Sequence, residues 1–325
     1  MRSSSLLFAA LLRHVNICRA VSPVLPGLWA DPNIAVFGRE YYVFPTEDGF
    51  PGWSGRQFYV WKSGDLVNWT RGTEAILTLN GTSGNVPWSD GSAWAPTIAE
   101  KRGRYYFYFS GNNPTYARKT IGVAVADSPE GPYTAQPTAM ITNNESIHAN
   151  QAIDPYAFHD PVSGKDYLLW GNGRALCAEL SNDMLSIKKE TITSLSGLTS
   201  FNEASFVAYR NGLYHFNYAI NDTRSESYAT GYATSKNLTG PYTYRYPILQ
   251  LNATLGILGT GGSTLLHVPG TDDWYIAYHR FRIPDGNGTM RETTIDRVYF
   301  NSETGLIEKV VPTLESVPAE TVPYR

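Results

Sequence analysis

At 325 residues the chain is longer than a typical domain, although all-β folds of this size often form one unit. Charged residues make up 17% and the net charge is −3, which argues against nucleic acid or an anionic membrane as partner and favours an uncharged ligand. Aromatic residues reach 13%, and the 29 Gly and 20 Pro mark many turns. This composition predicts many short strands.

The N-terminus has a basic start followed by the short apolar run 6–12. Residues 1–20 therefore resemble a secretory signal peptide, and the run is much shorter than the roughly 20 residues that span a bilayer. A mis-started or disordered leader is the alternative. The sequence predicts a secreted, extracellular protein whose residues 21–325 form a single domain.

Seven Asn-x-Ser/Thr sequons support export and predict a glycosylated surface. Their asparagines are Asn68, Asn80, Asn144, Asn221, Asn237, Asn252 and Asn287. Of the two cysteines, Cys18 would leave with the leader, so Cys177 would stand alone. No intrachain disulfide is therefore expected, and Cys177 is predicted to be a buried, inert thiol.

A short aromatic strand that follows a Gly or Asp turn occurs five times along the chain. The five copies are the segments 38–44, 103–109, 164–170, 211–216 and 272–278. They recur every 45 to 65 residues or so, which is close to the repeat of a four-stranded propeller blade. Helical periodicity is missing from the pattern. The sequence thus predicts an all-β, five-bladed β-propeller, with a β-sandwich as the alternative.

The segment before each aromatic strand also aligns, and three of these segments begin with an acid. The five segments are Asp31–Ile34, Ala95–Ile98, Asp154–Ala157, Glu203–Phe206 and Gly262–Leu265. In a propeller these are innermost strands, so Asp31, Asp154 and Glu203 are predicted to occupy equivalent positions and to converge at one end of the axis. Asp-Pro also initiates turns, which is the alternative for Asp31 and Asp154. Glu203 has no proline after it, and this weakens that alternative.

Convergent carboxyl groups in an aromatic-rich chain of low charge indicate glycoside hydrolysis. One acid must be protonated to donate to the leaving oxygen, and another must be ionised to activate water or attack the sugar. Like charges in one cleft raise at least one pKa and reduce stability, so a function is the better reason for placing them together.

The motifs, taken in order, resemble glycoside hydrolase family 43, the five-bladed propeller hydrolases of arabinose- and xylose-containing polysaccharides. The resemblance covers roughly residues 22–318. The matching segments are Trp29–Pro32, Trp94–Pro96, Ile153–Pro155, Asn202–Ser205, Trp274–Arg280, Arg291–Glu292 and Ile295–Arg297.

The resemblance implies that Asp31 is the general base, Glu203 the general acid and Asp154 the residue that tunes the pKa of the acid and orients the substrate. It also implies inversion at the anomeric carbon. Ala204 replaces a Gly that relatives often carry, which is a small change. Many relatives have a His in the last inner strand that supports an axial metal ion, whereas segment 259–263 here has none. No cofactor is predicted to be required, and an axial calcium ion is left as an alternative that the sequence does not support.

Five further residues are predicted to bind substrate. Trp94 would stack on a sugar face, and Trp88, Phe50 and Trp53 would shape the rim of the pocket, with blade packing as the alternative for all four. Arg291 resembles a late Arg of the family that reaches the acids, where its cation would hold the base ionised. A solvated surface Arg is the alternative.

The predicted function is a secreted, exo-acting α-L-arabinofuranosidase that acts as a monomer on arabinan or arabinoxylan of the plant cell wall. A β-xylosidase acting on xylo-oligosaccharides is the closest alternative, because the catalytic acids cannot separate the two sugars. A non-catalytic carbohydrate-binding propeller is an alternative from another class. Acids in only three of five blades argue for one composite site instead of a repeated lectin site.

Overall fold

The computed structural model describes residues 22–143, 147–315 and 317–324. The predicted signal peptide, Cys18 and Asn144 lie outside the described residues. Within those ranges the regular structure consists of β-strands and three short 3-10 turns, at Pro51–Trp53, Lys189–Thr191 and Ala253–Leu255. None of the helical segments found there is long and apolar enough to cross a membrane.

Five antiparallel sheets form the five predicted blades. Blade 1 contains β1 (Trp29–Phe37), β2 (Glu40–Glu47), β4 (Trp61–Ser63) and β5 (Thr70–Arg71), and β3 (Gln57–Phe58) pairs separately with β6 (Leu77–Thr78). Blade 2 contains β7 (Trp94–Lys101), β8 (Arg104–Asn113), β9 (Arg118–Ala126) and β10 (Thr134–Ala135). Blade 3 contains β11 (Tyr156–Asp160), β12 (Lys165–Trp170), β13 (Leu176–Glu179) and β14 (Thr193–Ser194). Blade 4 contains β15 (Glu203–Arg210), β16 (Leu213–Ile220), β17 (Ala229–Ser235) and β18 (Thr243–Leu249). Blade 5 contains β19 (Gly261–His267), β20 (Trp274–Phe281) and β21 (Arg291–Val298).

Each of the five predicted aromatic segments is the second strand of a blade, and the strand before it is the innermost. The first strands β1, β7, β11, β15 and β19 contact one another around the axis. The prediction of an all-β, five-bladed propeller is therefore confirmed.

The core consists of five apolar clusters, one between each pair of neighbouring blades. Aromatic second strands supply much of it: Phe44 of blade 1 packs on Phe107 of blade 2 with ring centroids 5.8 Å apart. Cys177 lies in the cluster between blades 3 and 4 and is 1% exposed. Burial raises the pKa of this thiol to about 12, which agrees with an inert thiol.

Both ends of the described chain join blade 5 to blade 1. Val24 donates its N–H to the carbonyl of Thr293 in β21 (2.9 Å), and Glu320 donates to the carbonyl of Asp65 in blade 1 (2.9 Å). Val24 and Val322 are buried in the same cluster between these blades. The ring is thus closed by contacts that are distant in sequence.

A positive φ angle near the start of each innermost strand sets the direction of the side chains at the axis. The angles are 48° at Asp31, 38° at Ala95, 57° at Asp154, 56° at Ala204 and 54° at Gly262. In four blades the strand register also shifts at this point. Bulges of this kind redirect side chains and occur often beside active sites.

The repeat places Glu203 one residue earlier than predicted. Asp31 and Asp154 occupy the positive-φ position, but in blade 4 that position belongs to Ala204. Glu203 is therefore equivalent to Ala30 and was wrongly aligned with the two aspartates. The physical reason is that Pro32 and Pro155 directly follow the positive-φ residue in blades 1 and 3, whereas blade 4 has no proline at this place.

Candidate active site

A cavity of about 390 Å³ lies where the innermost strands begin, and all three predicted acids face it. Its lining comprises Asp31, Trp53, Trp94, Asn150, Gln151, Ile153, Asp154, Asn172, Asn202, Glu203, Asp222, Thr223, Arg224 and Arg291. Asp31 and Asp154 enter the cavity from the positive-φ positions of blades 1 and 3, and the first residue of β15 supplies Glu203. The predicted convergence of the three acids is therefore seen, although they do not occupy equivalent positions.

Asp31 lies in a cationic environment. Arg291 Nη1 is 3.3 Å from Oδ1, and the Thr46 hydroxyl donates to Oδ2 at 2.8 Å. Nδ1 of His279 lies 3.1 Å from both the backbone nitrogen and Oδ1 of Asp31. Burial opposes ionisation of Asp31, but the Arg291 cation and the contacts with His279 and Thr46 outweigh it and hold the pKa of Asp31 well below its usual range. Asp31 is therefore ionised at neutral pH.

Arg291 is fixed by a second carboxylate. Its Nε and its backbone N–H donate to Asp48 Oδ2 at 2.8 and 3.0 Å, and Nη1 also donates to the Thr223 hydroxyl at 3.3 Å. Arg291 is 4% exposed, so it is not the solvated surface residue of the alternative. Burial would lower its pKa, but Asp31 and Asp48 together raise it, and the cation persists.

Asp154 shows the opposite behaviour. Burial first, and then the nearby charges of Glu203 and Asp31, raise the pKa of Asp154 well above its usual value. Its Oδ2 accepts the backbone N–H of Ala204 at 3.1 Å, and its own N–H donates to the Ser110 hydroxyl at 3.0 Å. Asp154 is thus tied to the residue directly after Glu203.

Glu203 has a pKa of about 7. Burial is the main cause, and the charge of Asp31 adds to it, while hydrogen bonds and the Arg291 cation act against it. Tyr228 donates its hydroxyl to Oε1 at 3.0 Å, and Asn172 donates to Oε2 at 2.9 Å. Near neutral pH the cavity therefore combines an ionised carboxylate with a carboxyl that retains a proton, which is the pair that acid–base catalysis needs.

Two indole rings form one wall of the cavity. Trp94 donates its ring N–H to the carbonyl of Trp53 at 2.7 Å, and Trp53 donates to the carbonyl of Gly288 at 2.7 Å. Lys119 Nζ lies 4.8 Å from the centre of the Trp94 ring, and Arg224 lies over Trp53. These bonds fix both rings, so that each presents an apolar surface to the cavity.

The predicted placement of Trp88 and Phe50 at the pocket is wrong. Trp88 stacks on Phe109 with centroids 5.7 Å apart and 12° between the planes, and its ring N–H donates to the carbonyl of Gln136. It belongs to the apolar cluster between blades 1 and 2. Phe50 precedes the 3-10 turn at Pro51–Trp53, is 37% exposed and is not among the residues that line the cavity. Burial of apolar surface between the blades explains Trp88 better than binding, and the turn directs Trp53 to the cavity instead of Phe50.

The chain matches the family model described as glycosyl hydrolases family 43 over residues 20–304. The chain belongs to this family. A curated relative, β-D-galactofuranosidase xynD of Aspergillus niger, is 33% identical over 319 residues, with 94% of this chain and 88% of that protein covered. A xylosidase/arabinosidase of Bacteroides ovatus is 25% identical, with 87% and 96% covered. The crystal structure of a thermostable family-43 glycoside hydrolase has a TM-score of 0.80 at 24% identity, with 92% and 98% covered.

The family 43 assignment confirms two predictions. The chain is a glycoside hydrolase, and its fold is the propeller of that family. The alternative of a non-catalytic sugar-binding propeller loses its support.

The described residues of this family 43 chain provide no cluster of charged or imidazole side chains for an axial calcium ion. A chamber of about 30 Å³ shares Asp31 and Asp154 with the cavity. Calcium takes about six to eight oxygen ligands, yet the described ranges contain no group of three His, Cys, Asp or Glu side chains that could hold a metal. Gly261 lies in the segment where many relatives have a metal-supporting His. The ring of Tyr228 occupies the space that a side chain would need there, because a Cβ at Gly261 would lie 2.2 Å from that ring. No catalytic step is assigned to a metal, and independence from cofactors stays a prediction.

Several residues of the site were not predicted from the sequence. Thr46, Asp48, Asn172 and Tyr228 belong to no motif, and His279 lies in the matching segment Trp274–Arg280 but was not predicted to contact the acids. Strand pairing offered one signal, because the end of each second strand lies opposite the start of the first. Ala30, next to Asp31, pairs with Thr46, and Gly261 pairs with His279. Polar residues at the ends of predicted second strands were therefore candidates for contact with the acids.

Proposed function

We propose that this family 43 hydrolase is a secreted, exo-acting enzyme that releases terminal α-L-arabinofuranosyl residues from arabinan or arabinoxylan with inversion of configuration. The observation that carries the proposal is the opposite protonation of two acids in one cavity. Asp31 is ionised, whereas Glu203 has a pKa of about 7. A cavity of about 390 Å³ is small for a ligand site and suits the end of a chain better than its middle.

The proposed reaction is a single displacement. Asp31 removes a proton from a water molecule, whose oxygen attacks the anomeric carbon from the face opposite the leaving group. Glu203 gives its proton to the glycosidic oxygen as the bond from that oxygen to the anomeric carbon breaks. Asp154, hydrogen-bonded to the backbone beside Glu203, holds the acid in place, while burial and the charge of Asp31 keep the pKa of Glu203 raised. Trp53 and Trp94 supply the apolar wall for the sugar face.

A β-D-galactofuranosyl substrate is the second candidate, and the relative in Aspergillus niger favours it. The ring of β-D-galactofuranose has the same arrangement of substituents as that of α-L-arabinofuranose, with one more carbon on the exocyclic chain. The polar wall of Asn150, Gln151 and Asn202 offers amides for additional hydroxyl groups. A β-xylosidase is the third candidate, supported by the relative in Bacteroides ovatus.

Nitrophenyl glycosides of the three sugars, assayed side by side, test the choice. We expect the highest kcat/KM with the α-L-arabinofuranoside. Faster release from the galactofuranoside or the xyloside would replace the proposed substrate with that sugar. Proton NMR of the first product formed tests inversion, because the newly released sugar must have the anomeric configuration opposite to that of the substrate.

Export and subunit state are tested separately. Expression of the full chain in a eukaryotic secretory host should give protein in the medium whose N-terminus lies close to residue 21. Light scattering should give the mass of a monomer. Retention of an intact N-terminus inside the cell would contradict secretion without touching the proposed chemistry.

A further inference from the structure

Tyr228 is the one tyrosine among the described residues that donates a hydrogen bond to a predicted catalytic acid. It immediately precedes β17 and is 1% exposed. Its hydroxyl lies 3.0 Å from Glu203 Oε1, while Asn172 holds Oε2. Both oxygens of Glu203 are therefore engaged by uncharged donors, and the rotamer of the carboxyl is fixed.

The ring of Tyr228 is held against the other side of the site. It lies parallel to His279, with ring centroids 5.6 Å apart and 4° between the planes. Nδ1 of His279 in turn contacts the backbone nitrogen of Asp31 at 3.1 Å. Burial and the Arg291 cation lower the pKa of His279, so that this ring is neutral. A continuous chain of contacts thus runs from Glu203 through Tyr228 and His279 to Asp31.

Gly261 makes this arrangement possible. Gly261 pairs with His279 across β19 and β20, and a Cβ at Gly261 would lie 2.2 Å from Cε1 and 2.5 Å from Cδ1 of Tyr228. Distances under about 3 Å are not tolerated by packed atoms, so any side chain here would displace the ring. The glycine reserves the space from which the tyrosine reaches the acid.

We propose that Tyr228 is a positioning residue of Glu203, and that Gly261 and His279 hold its ring where the hydroxyl aims the carboxyl at the leaving oxygen. The inference rests on the proposed role of Glu203 as general acid. Tyr228 does not line the cavity, so it acts through Glu203 and not on the substrate.

The charges around Glu203 determine how loss of the Tyr228 hydroxyl should change the pKa of Glu203. Glu203 faces Asp31, Asp154 and Arg291, and Arg224 lies at the same cavity. The hydrogen bond from Tyr228 favours the ionised carboxylate. Its removal should therefore raise the pKa of Glu203, and the basic limb of the pH profile of kcat/KM should move to higher pH.

The test is Tyr228→Phe in the full chain, with Tyr218→Phe as matched control. Tyr218 is a buried tyrosine of the same blade that donates to the carbonyl of Thr199 and not to an acid. We expect Y228F to lower kcat/KM on an unactivated disaccharide by about tenfold and to move the basic limb upward by about one unit. Y218F should leave the limb in place.

Gly261→Ala supplies a second variant, because it displaces the ring and keeps the hydroxyl. We expect it to move the basic limb in the same direction, with circular dichroism and melting confirming the fold. The inference would be overturned if the basic limb of kcat/KM in both Y228F and G261A stayed at the pH found for wild type and Y218F. If Glu203→Gln retains the basic limb, the proposed role of Glu203 fails instead, and the two outcomes are distinguishable.

Discussion

On the blade 1 side of the cavity, Asp31 lies 3.3 Å from the guanidinium of Arg291. On the blade 4 side, Glu203 accepts its two hydrogen bonds from the uncharged groups of Tyr228 and Asn172. Burial acts on both acids in the same direction, yet the pKa of Asp31 lies well below its usual range and that of Glu203 is about 7. The placement of one cation therefore decides which acid retains a proton.

Asp154 lies on the acid side of this division. Its pKa is raised by burial and by Glu203, and it is hydrogen-bonded to the backbone next to that residue. The pKa values of Asp154 in blade 3 and Glu203 in blade 4 are thus both raised. Asp31, in contrast, forms an ion pair with Arg291, which also pairs with Asp48. If this division is correct, changes on the two sides should have different kinetic signatures.

The largest expected effect separates the two sides by the dependence on the leaving group. Asp31→Asn should lower kcat/KM by about 10³- to 10⁴-fold on every substrate, because water activation is lost. Glu203→Gln should cause a similar loss on a disaccharide but only about tenfold or less on a dinitrophenyl glycoside, whose leaving group needs no proton. Steady-state kinetics on both substrates measure the difference.

Equal losses on both substrates in E203Q would remove Glu203 from the role of general acid. A leaving-group dependence seen in D31N and missing from E203Q would exchange the two roles. Circular dichroism controls for folding in both variants.

The next prediction tests whether the Arg291 cation causes the difference in pKa between Asp31 and Glu203. Arg291→Met should raise the pKa of Asp31, so that an acidic limb of kcat/KM enters the measurable range, and activity should fall by about 10²-fold. Unfolding should become easier by about 3 to 5 kcal/mol, because Asp48 remains buried without its partner. The pH profile and urea denaturation provide the two measurements.

Asp48→Asn combined with Arg291→Met is the matched control. The double variant removes the buried charge as well as its partner, so it should recover part of the lost stability and none of the activity. A double variant that is no more stable than R291M would show that Asp48 and Arg291 do not stabilise one another.

The sequence predicted the repeat better than it predicted the surroundings of the acids. Aromatic second strands and Asp-Pro pairs carry local signals, so the blades, Asp31 and Asp154 were found from chain patterns. Glu203 was identified, but its register was wrong by one residue because blade 4 lacks the proline that marks the bulge. A bulge changes which side chain faces the axis, and sequence alone shows it only where such a residue is present.

The partners of the acids come from residues that are distant in sequence. Asp48 and Arg291 are separated by 243 positions, and Glu203 and Tyr228 by 25. Their meeting depends on ring closure and on the room left at Gly261, neither of which leaves a local pattern. Trp88 shows the reverse error, since an aromatic residue in a long connection has the same local character whether it packs between blades or lines a pocket.

The smallest expected effect appears in stability and distinguishes the two sides without any substrate. Folding raises the pKa of Glu203 from 4.5 to about 7, so the native state holds a proton that the unfolded chain releases. The free energy of unfolding should therefore fall as the pH rises from about 4.5 to about 7. Glu203→Gln removes the titrating group, and its free energy of unfolding relative to wild type should improve by about 2 kcal/mol between pH 5 and 8.

Asp31→Asn should behave differently in the same urea titrations. Because the pKa of Asp31 is lowered by folding, its contribution to stability is present above the pKa of the unfolded chain and is lost only as pH falls below it. From pH 5 to 8 the difference between D31N and wild type should then vary only through the smaller effect of the Asp31 charge on the pKa of Glu203, so its slope should be shallower than that of E203Q. A slope for D31N as steep as that for E203Q, or no slope for E203Q, would mean that the cation at Arg291 does not separate the proton affinities of the two acids in the free enzyme.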